Sequence, residues 1–117
     1  MDTLFNQKDT DKRNHVLRAD GHVFHIDGKG SLLSYEGPGG EVKVPEGVRS
    51  IGIEAFAFCT HVTGVILPED VRGIARRAFY RSGIKTIQLP ASLQRIDKHA
   101  FAESSLESVE IDRKSVV

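Results

Sequence analysis

Apolar residues recur in the second half of the chain with a period of 22 or 23 residues. Each copy begins with an aliphatic residue and a proline, continues with two spaced aliphatic positions, and then has an alanine–phenylalanine pair. The three copies begin at Val44-Pro45, Leu67-Pro68 and Leu89-Pro90. A repeat of this length is typical of a solenoid, in which each repeat forms one coil and buries its apolar face against its neighbours.

Aliphatic residues occupy every second position where one copy ends and the next begins, as at Val65 and Leu67 and again at Ile87 and Leu89. This alternation predicts a short strand with one buried face. Proline cannot donate a hydrogen bond to a strand ladder, so we expect each proline where a strand ends. With 42–44 as a first half-copy, the pattern predicts four parallel strands.

The alanine–phenylalanine pairs predict an aromatic row in the core. Phe56, Phe79 and Phe101 occupy the same position in the three copies. Because equivalent positions of stacked coils lie next to one another, we expect these rings to form a stack that buries a large apolar area.

The segment before the repeats has a different pattern. One apolar run lies between Val16 and Ile26 and another between Leu32 and Tyr35, on either side of 27–30, which contains two glycines. Two apolar runs across such a connector predict a β-hairpin. We expect it to cap the first coil, which would otherwise expose apolar surface and unpaired strand groups. The predicted organisation is a flexible polar leader (1–14), a hairpin cap (15–38), the repeats (39–111) and a tail (112–117).

These repeats resemble the BspA-like leucine-rich repeats (type 5). Their form, Leu-Pro-x-x-Val-x-x-Ile-x-x-x-Ala-Phe-x-x-Cys-x-x-Leu-x-x-Val-x, appears here as 44–66, 67–88 and 89–110, with Ser82 and Ser104 where the family usually has cysteine. The resemblance implies a right-handed β-solenoid-like coil with a parallel sheet on one face. It also implies that a surface or host-adhesion role in bacteria or parasitic protists is common. The predicted fold is thus a β-rich solenoid, a short leucine-rich-repeat coil capped at its N-terminus by a β-hairpin.

Composition and charge argue against several classes of function. Lys and Arg together number 16, as do Asp and Glu, so no overall field attracts nucleic acid or an anionic membrane. Cys59 is the only cysteine, which excludes an internal disulfide and a cysteine-built zinc site. Because Cys59 aligns with Ser82 and Ser104, we expect a small, half-buried residue at a turn and not a reactive thiol.

The chain also shows no signal for export or membrane insertion. Its first residues contain no basic region followed by an apolar run, and no stretch approaches the roughly 18 apolar residues of a membrane span. We therefore expect a cytoplasmic protein without membrane contact, or an extracellular one if an export signal has been removed.

Motifs for catalysis or cofactor binding are not found in the sequence. It has no glycine-rich phosphate loop, nucleophile elbow or metal-binding helix motif. His22 and His25 are three residues apart in a predicted strand, so their side chains should point to opposite faces. We therefore expect that the protein is not an enzyme, that it has no catalytic residues, and that it binds neither a cofactor nor a metal ion.

Residues that differ between the copies are the candidates for binding. On the predicted strands, one row of outward positions consists of Lys43, Ile66, Gln88 and Glu110. Solenoids commonly bind partners over such a sheet face. A row that passes from a lysine through an exposed isoleucine to a glutamate suits a protein partner better than a polyanion.

A second candidate is a cluster of positive charge in the second and third copies. Seven basic side chains lie between Arg72 and His99 against Asp97 alone, a local charge of +6. This basic band consists of Arg72, Arg76, Arg77, Arg81, Lys85, Arg95 and Lys98, together with His99. The repeat register places Arg76 beside Lys98 and Arg77 beside His99. The band is interpretable as a solvated face or as a docking site for an acidic protein; nucleic acid has less support, because Tyr80 is its only aromatic residue.

The last copy raises the question of what covers its strand. Only six residues follow Ile111, so we expect an exposed edge whose uncontrolled pairing is discouraged by Glu107, Glu110 and Asp112. Alternatively the edge pairs with a second copy, and we predict a homodimer.

The sequence therefore predicts a non-enzymatic protein-binding module that acts inside the cell as an inhibitor, effector or accessory factor. The alternatives are a fragment of a bacterial or protist surface adhesin, and nucleic-acid binding through the basic band.

Overall fold

The computed structural model describes residues 13–111. The predicted tail and nearly all of the predicted leader lie outside the described residues. Within 13–111 the protein has ten strands and no helix, and therefore no helix that could cross a membrane. The strands are β1 (His15–Ala19), β2 (His22–Ile26), β3 (Ser31–Glu36), β4 (Gly40–Lys43), β5 (Ser50–Ile51), β6 (Val62–Ile66), β7 (Gly73–Ile74), β8 (Thr86–Leu89), β9 (Arg95–Ile96) and β10 (Ser108–Ile111).

The N-terminal strands form an antiparallel meander. The predicted hairpin is present as β2 and β3, which are joined through Asp27–Gly30. The first apolar run is not one strand, however, because β1 pairs with β2 across a turn at Asp20 and Gly21. Both turn residues have positive φ, 53° and 85°, which is the conformation of a tight hairpin turn favoured by an Asp-Gly pair. The cap is therefore three-stranded.

The predicted parallel strands form a sheet of their own, which we call the parallel sheet. Its order is β10-β8-β6-β4, with one strand from each repeat and one from the half-copy. All three pairings are parallel, and the chain reaches Pro68 and Pro90 directly after Leu67 and Leu89. The prediction of four parallel strands is confirmed, and each of the three repeat prolines follows within two residues of the end of β4, β6 or β8.

A second sheet, absent from the sequence prediction, closes the other side of each coil. The two-residue strands β5, β7 and β9 continue from β3 in parallel and give the order β1-β2-β3-β5-β7-β9. We call it the cap-linked sheet, because it joins the meander to the repeats by hydrogen bonds. Its inward residues Ile51 and Ile74 are buried in the core.

The core lies between the two sheets and contains the predicted aromatic row. Phe56 and Phe79 are fully buried, and Phe101 packs against the core while partly exposed. Tyr35 from the cap lies against Phe56, so the row has four rings. The cap and the repeats thus share one apolar core.

Each coil turns back from the cap-linked sheet through two residues in the left-handed region. The first is Glu54, Arg77 or His99, with φ of 59°, 57° and 61°. The second is Phe58, Arg81 or Glu103, with φ of 63°, 54° and 57°. Because the same two positions recur, the turn has the same shape in all three coils.

The last coil leaves apolar positions uncovered. Ile96 in β9 and Val109 and Ile111 in β10 are 46%, 50% and 56% exposed, whereas their equivalents in the preceding coil are at most 7% exposed. Among the described residues no further coil stacks on them. Within residues 13–111, the last coil therefore ends in an uncovered edge formed by strands of both sheets.

Candidate functional site

The predicted row on the parallel sheet is formed as expected. Lys43 pairs with Ile66, Ile66 with Gln88, and Gln88 with Glu110. Ile66 is half-buried, not exposed as expected, because side chains of the two neighbouring strands flank it. Lys43, Ile66 and Gln88 line a hollow of about 270 Å³ together with the turn residues Glu46 and Glu69. Glu110 lies outside this hollow on the exposed strand β10.

The predicted neighbours in the basic band also share a register. The pairing of Ile74 with Ile96 continues into the turn, so Arg76 and Lys98 take equivalent places in adjacent coils. Arg77 and His99 share the left-handed conformation at the next position. All four side chains are exposed.

The basic band nevertheless divides between different sides of the coils. Arg72 and Arg95 lie at the start of the cap-linked strands, in a notch of about 210 Å³ that also contains Arg49. We call Arg49, Arg72 and Arg95 the arginine notch. Arg49 was not among the residues predicted from the sequence, although it aligns with Arg72, whose amide donates to the Arg49 carbonyl at 2.9 Å.

The notch opens onto a groove on the outer face of the cap-linked sheet. This groove has a volume of about 400 Å³, and Arg95 lines both cavities. Its floor consists of small residues such as Ser50 and Gly73, and the exposed apolar side chains of Leu33 and Ile53 also line it. The cap-linked sheet thus presents an apolar groove with arginines beside it.

The rest of the band includes a cluster of aromatic rings and arginines. The Tyr80 ring lies 5.0 Å from the Arg77 guanidinium carbon and 5.3 Å from that of Arg81. Phe58 meets Tyr80 almost at a right angle, 88°, with centroids 5.4 Å apart. We call Phe58, Arg77, Tyr80 and Arg81 the aromatic patch. Phe58 was not among the predicted site residues. The signal that could have identified it is an aromatic residue at the position where the other copies have Arg81 and Glu103.

Two arginines of the band are paired with carboxylates. Arg81 Nε donates to Glu103 Oε1 at 2.8 Å, and this hydrogen bond and charge raise the pKa of Arg81. Arg95 Nε lies 3.4 Å from Asp97 Oδ1. Such exposed pairs contribute little to stability. They do reduce the positive charge that the band offers, and Glu103 comes from the following coil, at the position aligned with Arg81.

Metal and thiol chemistry find no support in this part of the chain. Between residues 13 and 111, no three His, Cys, Asp or Glu side chains are grouped closely enough to hold a metal ion. Cys59 is half-buried, as expected, and burial raises the pKa of its thiol. The neutral thiol therefore predominates at neutral pH.

The pattern of the repeats matches a known family model, the BspA type leucine rich repeat region, over residues 36–116 in six copies. The chain belongs to this family. No curated protein matches it significantly.

Solved structures of two bacterial proteins are similar to this chain. A leucine rich cell surface protein from Faecalibacterium prausnitzii A2-165 is 36% identical over 64% of this chain, with a TM-score of 0.58. The match covers 20% of that protein, so this chain spans about a fifth of its length. A leucine-rich repeat protein from Bacteroides capillosus ATCC 29799 is 21% identical, with 83% of this chain and 98% of that one covered and a TM-score of 0.49.

Proposed function

We propose that this BspA-type repeat chain is a non-enzymatic protein-binding scaffold that binds its partner over the parallel sheet and the basic band. The observation that carries the proposal is the hollow around Ile66, with Lys43 and Gln88 on the adjacent strands. A half-buried aliphatic side chain inside a charged and polar rim has the composition of a protein interface. Such a scaffold, acting in the cell that makes it, would serve as an inhibitor, effector or accessory factor by covering a surface of its partner.

A quantitative pull-down from the producing cells tests this proposal. Ile66→Glu places a charge in the hollow, and Arg76→Glu/Arg77→Glu reverses the charge of the band. We expect each variant to lose a partner that the wild-type chain retains. Ile53→Glu and Arg18→Glu/Lys29→Glu are matched controls, because they make the same charge changes at exposed positions outside the two surfaces. The absence of any specific partner, or equal retention by all variants, would contradict the proposal.

A second candidate function is that of a segment of a cell-surface protein. It is favoured by the 36% identity to a protein described as a leucine rich cell surface protein. Limited proteolysis of intact cells tests it. Removal of the chain by external protease would support the surface role, whereas protection until the cells are lysed would support the intracellular one.

Nucleic-acid binding has less support from the geometry. Two arginines of the band already lie against carboxylates, and the basic residues divide between separate sides of the coils. Filter binding of single-stranded oligonucleotides at low and high salt distinguishes this alternative, because phosphate contacts weaken steeply with salt. We expect no salt-sensitive retention. Retention that disappears in Arg76→Glu/Arg77→Glu would instead assign the band to nucleic acid.

A further inference from the structure

Phe58 is the most exposed large apolar side chain in the described part of the protein, at 59%. Its ring stands nearly perpendicular to that of Tyr80, and its amide donates to the Tyr80 carbonyl at 2.8 Å. The edge-to-face contact fixes the orientation of the ring but leaves much of its surface in water. The aromatic patch therefore presents an ordered apolar surface at the outside of a turn.

The fold gives no reason for a phenylalanine at this position. Phe58 has a φ of 63°, in the left-handed region that bulky side chains rarely adopt. The equivalent residues Arg81 and Glu103 make the same turn with polar side chains. Phe58 thus combines an unfavourable backbone conformation with an exposed apolar ring, and neither contributes to the core. Because this ring is exposed and ordered beside Tyr80, we take it as the centre of a candidate contact surface.

The charges beside Phe58 define what the surface fits. Arg77 and Arg81 are held within cation–π distance of Tyr80, so their guanidinium groups are oriented before any partner arrives. Arg81 is already paired with Glu103, whereas Arg77 has no carboxylate within 4.0 Å among residues 13–111. The patch therefore offers one preoriented guanidinium next to an exposed ring. Tyrosine and arginine are among the residues that most often dominate binding energy at protein interfaces, and phenylalanine is enriched there.

We propose that the aromatic patch docks an acidic peptide segment of a partner protein. An apolar or aromatic side chain of the segment packs on Phe58, and a neighbouring carboxylate accepts two hydrogen bonds from Arg77. The inference rests on the proposed protein-binding function and names where and by what chemistry one segment binds. A nucleic acid fits less well, because Arg77 and Arg81 lie over the Tyr80 ring, on which a base would otherwise stack.

Selection of a random dodecapeptide library, displayed on phage, against the folded chain tests the inference. Enriched peptides are synthesised, and their affinities are measured for the wild-type chain, Phe58→Ser, Arg77→Glu and two matched controls. Ile53→Ser removes an equally exposed apolar side chain, 57% against 59%, and Arg18→Glu reverses an exposed charge on β1 of the cap. Neither control residue belongs to the basic band or to the aromatic patch. Circular dichroism of each variant verifies that it is folded.

The expected result is a set of peptides that carry Asp or Glu beside an aromatic or aliphatic residue. Their affinity should fall by about tenfold or more in Phe58→Ser and Arg77→Glu and stay within about twofold in the controls. Failure to enrich any peptide, peptides without acidic residues, or losses in the controls instead would overturn the inference. Tighter binding of a single-stranded oligonucleotide, lost in the same two variants, would also overturn it. If the peptides bind all four of these variants but not Ile66→Glu, the aromatic patch is not their binding site. The proposed protein-binding function would then still be supported.

Discussion

The phenyl rings of Phe56 and Phe79 lie parallel, with centroids 5.0 Å apart and planes inclined by 5°. Phe79 and Phe101 repeat this arrangement at 5.1 Å and 5°. Tyr35 adds a ring from the cap, 5.3 Å from Phe56. Each coil therefore meets its neighbour through one aromatic pair, and the cap meets the first coil in the same way. Stability in such an array depends on contacts between nearest neighbours.

The middle ring of this row should be the most costly to remove. Phe79 is fully buried between two rings, so we expect Phe79→Ala to lower the free energy of unfolding by about 3–5 kcal/mol. Phe101→Ala should cost clearly less, because Phe101 is partly exposed and has one ring as a neighbour. Urea unfolding followed by circular dichroism measures both. If Phe79→Ala fails to fold, Phe79→Leu and Phe101→Leu are compared instead. Equal losses of unfolding free energy in these two variants would contradict the stacked core.

The aromatic row and the parallel sheet were predictable because both follow from residues that recur at one repeat position. The cap-linked sheet was not, since strands of two residues such as Gly73–Ile74 are too short to show alternation. The extra strand β1 was detectable from the Asp20-Gly21 pair, a hairpin signal within the first apolar run. The sequence shows that repeats stack, but not how short links between them pair.

The candidate surfaces were predictable to a smaller extent. Register alone places Lys43, Ile66 and Gln88 on adjacent strands. The hollow around Ile66 depends on how the turns at Glu46 and Glu69 fold beside the sheet, which register does not give. Contacts across coils were likewise missed, although Arg81 and Glu103 occupy aligned positions. The basic band divides into the arginine notch and the aromatic patch because the backbone turns between them in each coil. The sequence alone does not show where these turns lie.

Ser82 is a buried residue whose polar group contributes nothing visible to the fold. It is 3% exposed, and its Oγ has no hydrogen-bond partner within the described residues. Because a buried unsatisfied hydroxyl is destabilising, we expect Ser82→Ala to raise the free energy of unfolding by about 1 kcal/mol. Ser82→Cys should also stabilise, since Cys59 occupies this position in the first repeat. Denaturant unfolding provides the measurement.

Ser104→Ala is the matched control for Ser82. Ser104 occupies the same repeat position but is partly exposed, and its Oγ accepts a long hydrogen bond from the Leu106 amide. We expect no gain in stability there. A loss of stability in Ser82→Ala would show that its hydroxyl has a partner and would refute this reading of the site.

Cys59 should react slowly with alkylating reagents. Burial raises the pKa of its thiol, so the nucleophilic thiolate is scarce at neutral pH. We expect iodoacetamide to modify the native chain much more slowly than the urea-unfolded chain at pH 7.5, as followed by mass spectrometry. The native rate should still be rising at a pH where the unfolded thiol is already fully ionised. Rapid native labelling at neutral pH would show that the thiol is reactive after all.

Gly83 occupies a position where two coils approach closely. A Cβ atom added there would collide with the carbonyl oxygen of Thr60, and the Gly83 amide donates to the Cys59 carbonyl at 3.1 Å. Because the obstacle is backbone, we expect Gly83→Ala to destabilise the chain by about 1–3 kcal/mol. At Gly73 a Cβ would meet only ordinary contacts of 3.8–3.9 Å, so Gly73→Ala should be tolerated. Thermal unfolding of the two variants compares them directly, and equal melting temperatures would contradict the close approach.

The uncovered apolar positions of the last coil should mediate self-association. We expect a homodimer in which the open end formed by β9 and β10 pairs with that of a second copy, because pairing covers Ile96, Val109 and Ile111 and satisfies free strand groups. Light scattering over a range of concentrations should show a monomer–dimer equilibrium. Val109→Lys should shift it to the monomer, whereas Ile53→Lys, at a similarly exposed isoleucine, should not.

Salt should act on this association in a defined direction. Glu107 and Glu110 are exposed at the same end, so two copies bring like charges together. Screening weakens that repulsion, and the dimer should therefore become tighter as the salt concentration rises. A strict monomer at high concentration and high salt, or a dimer that Val109→Lys leaves intact, would exclude pairing through this end.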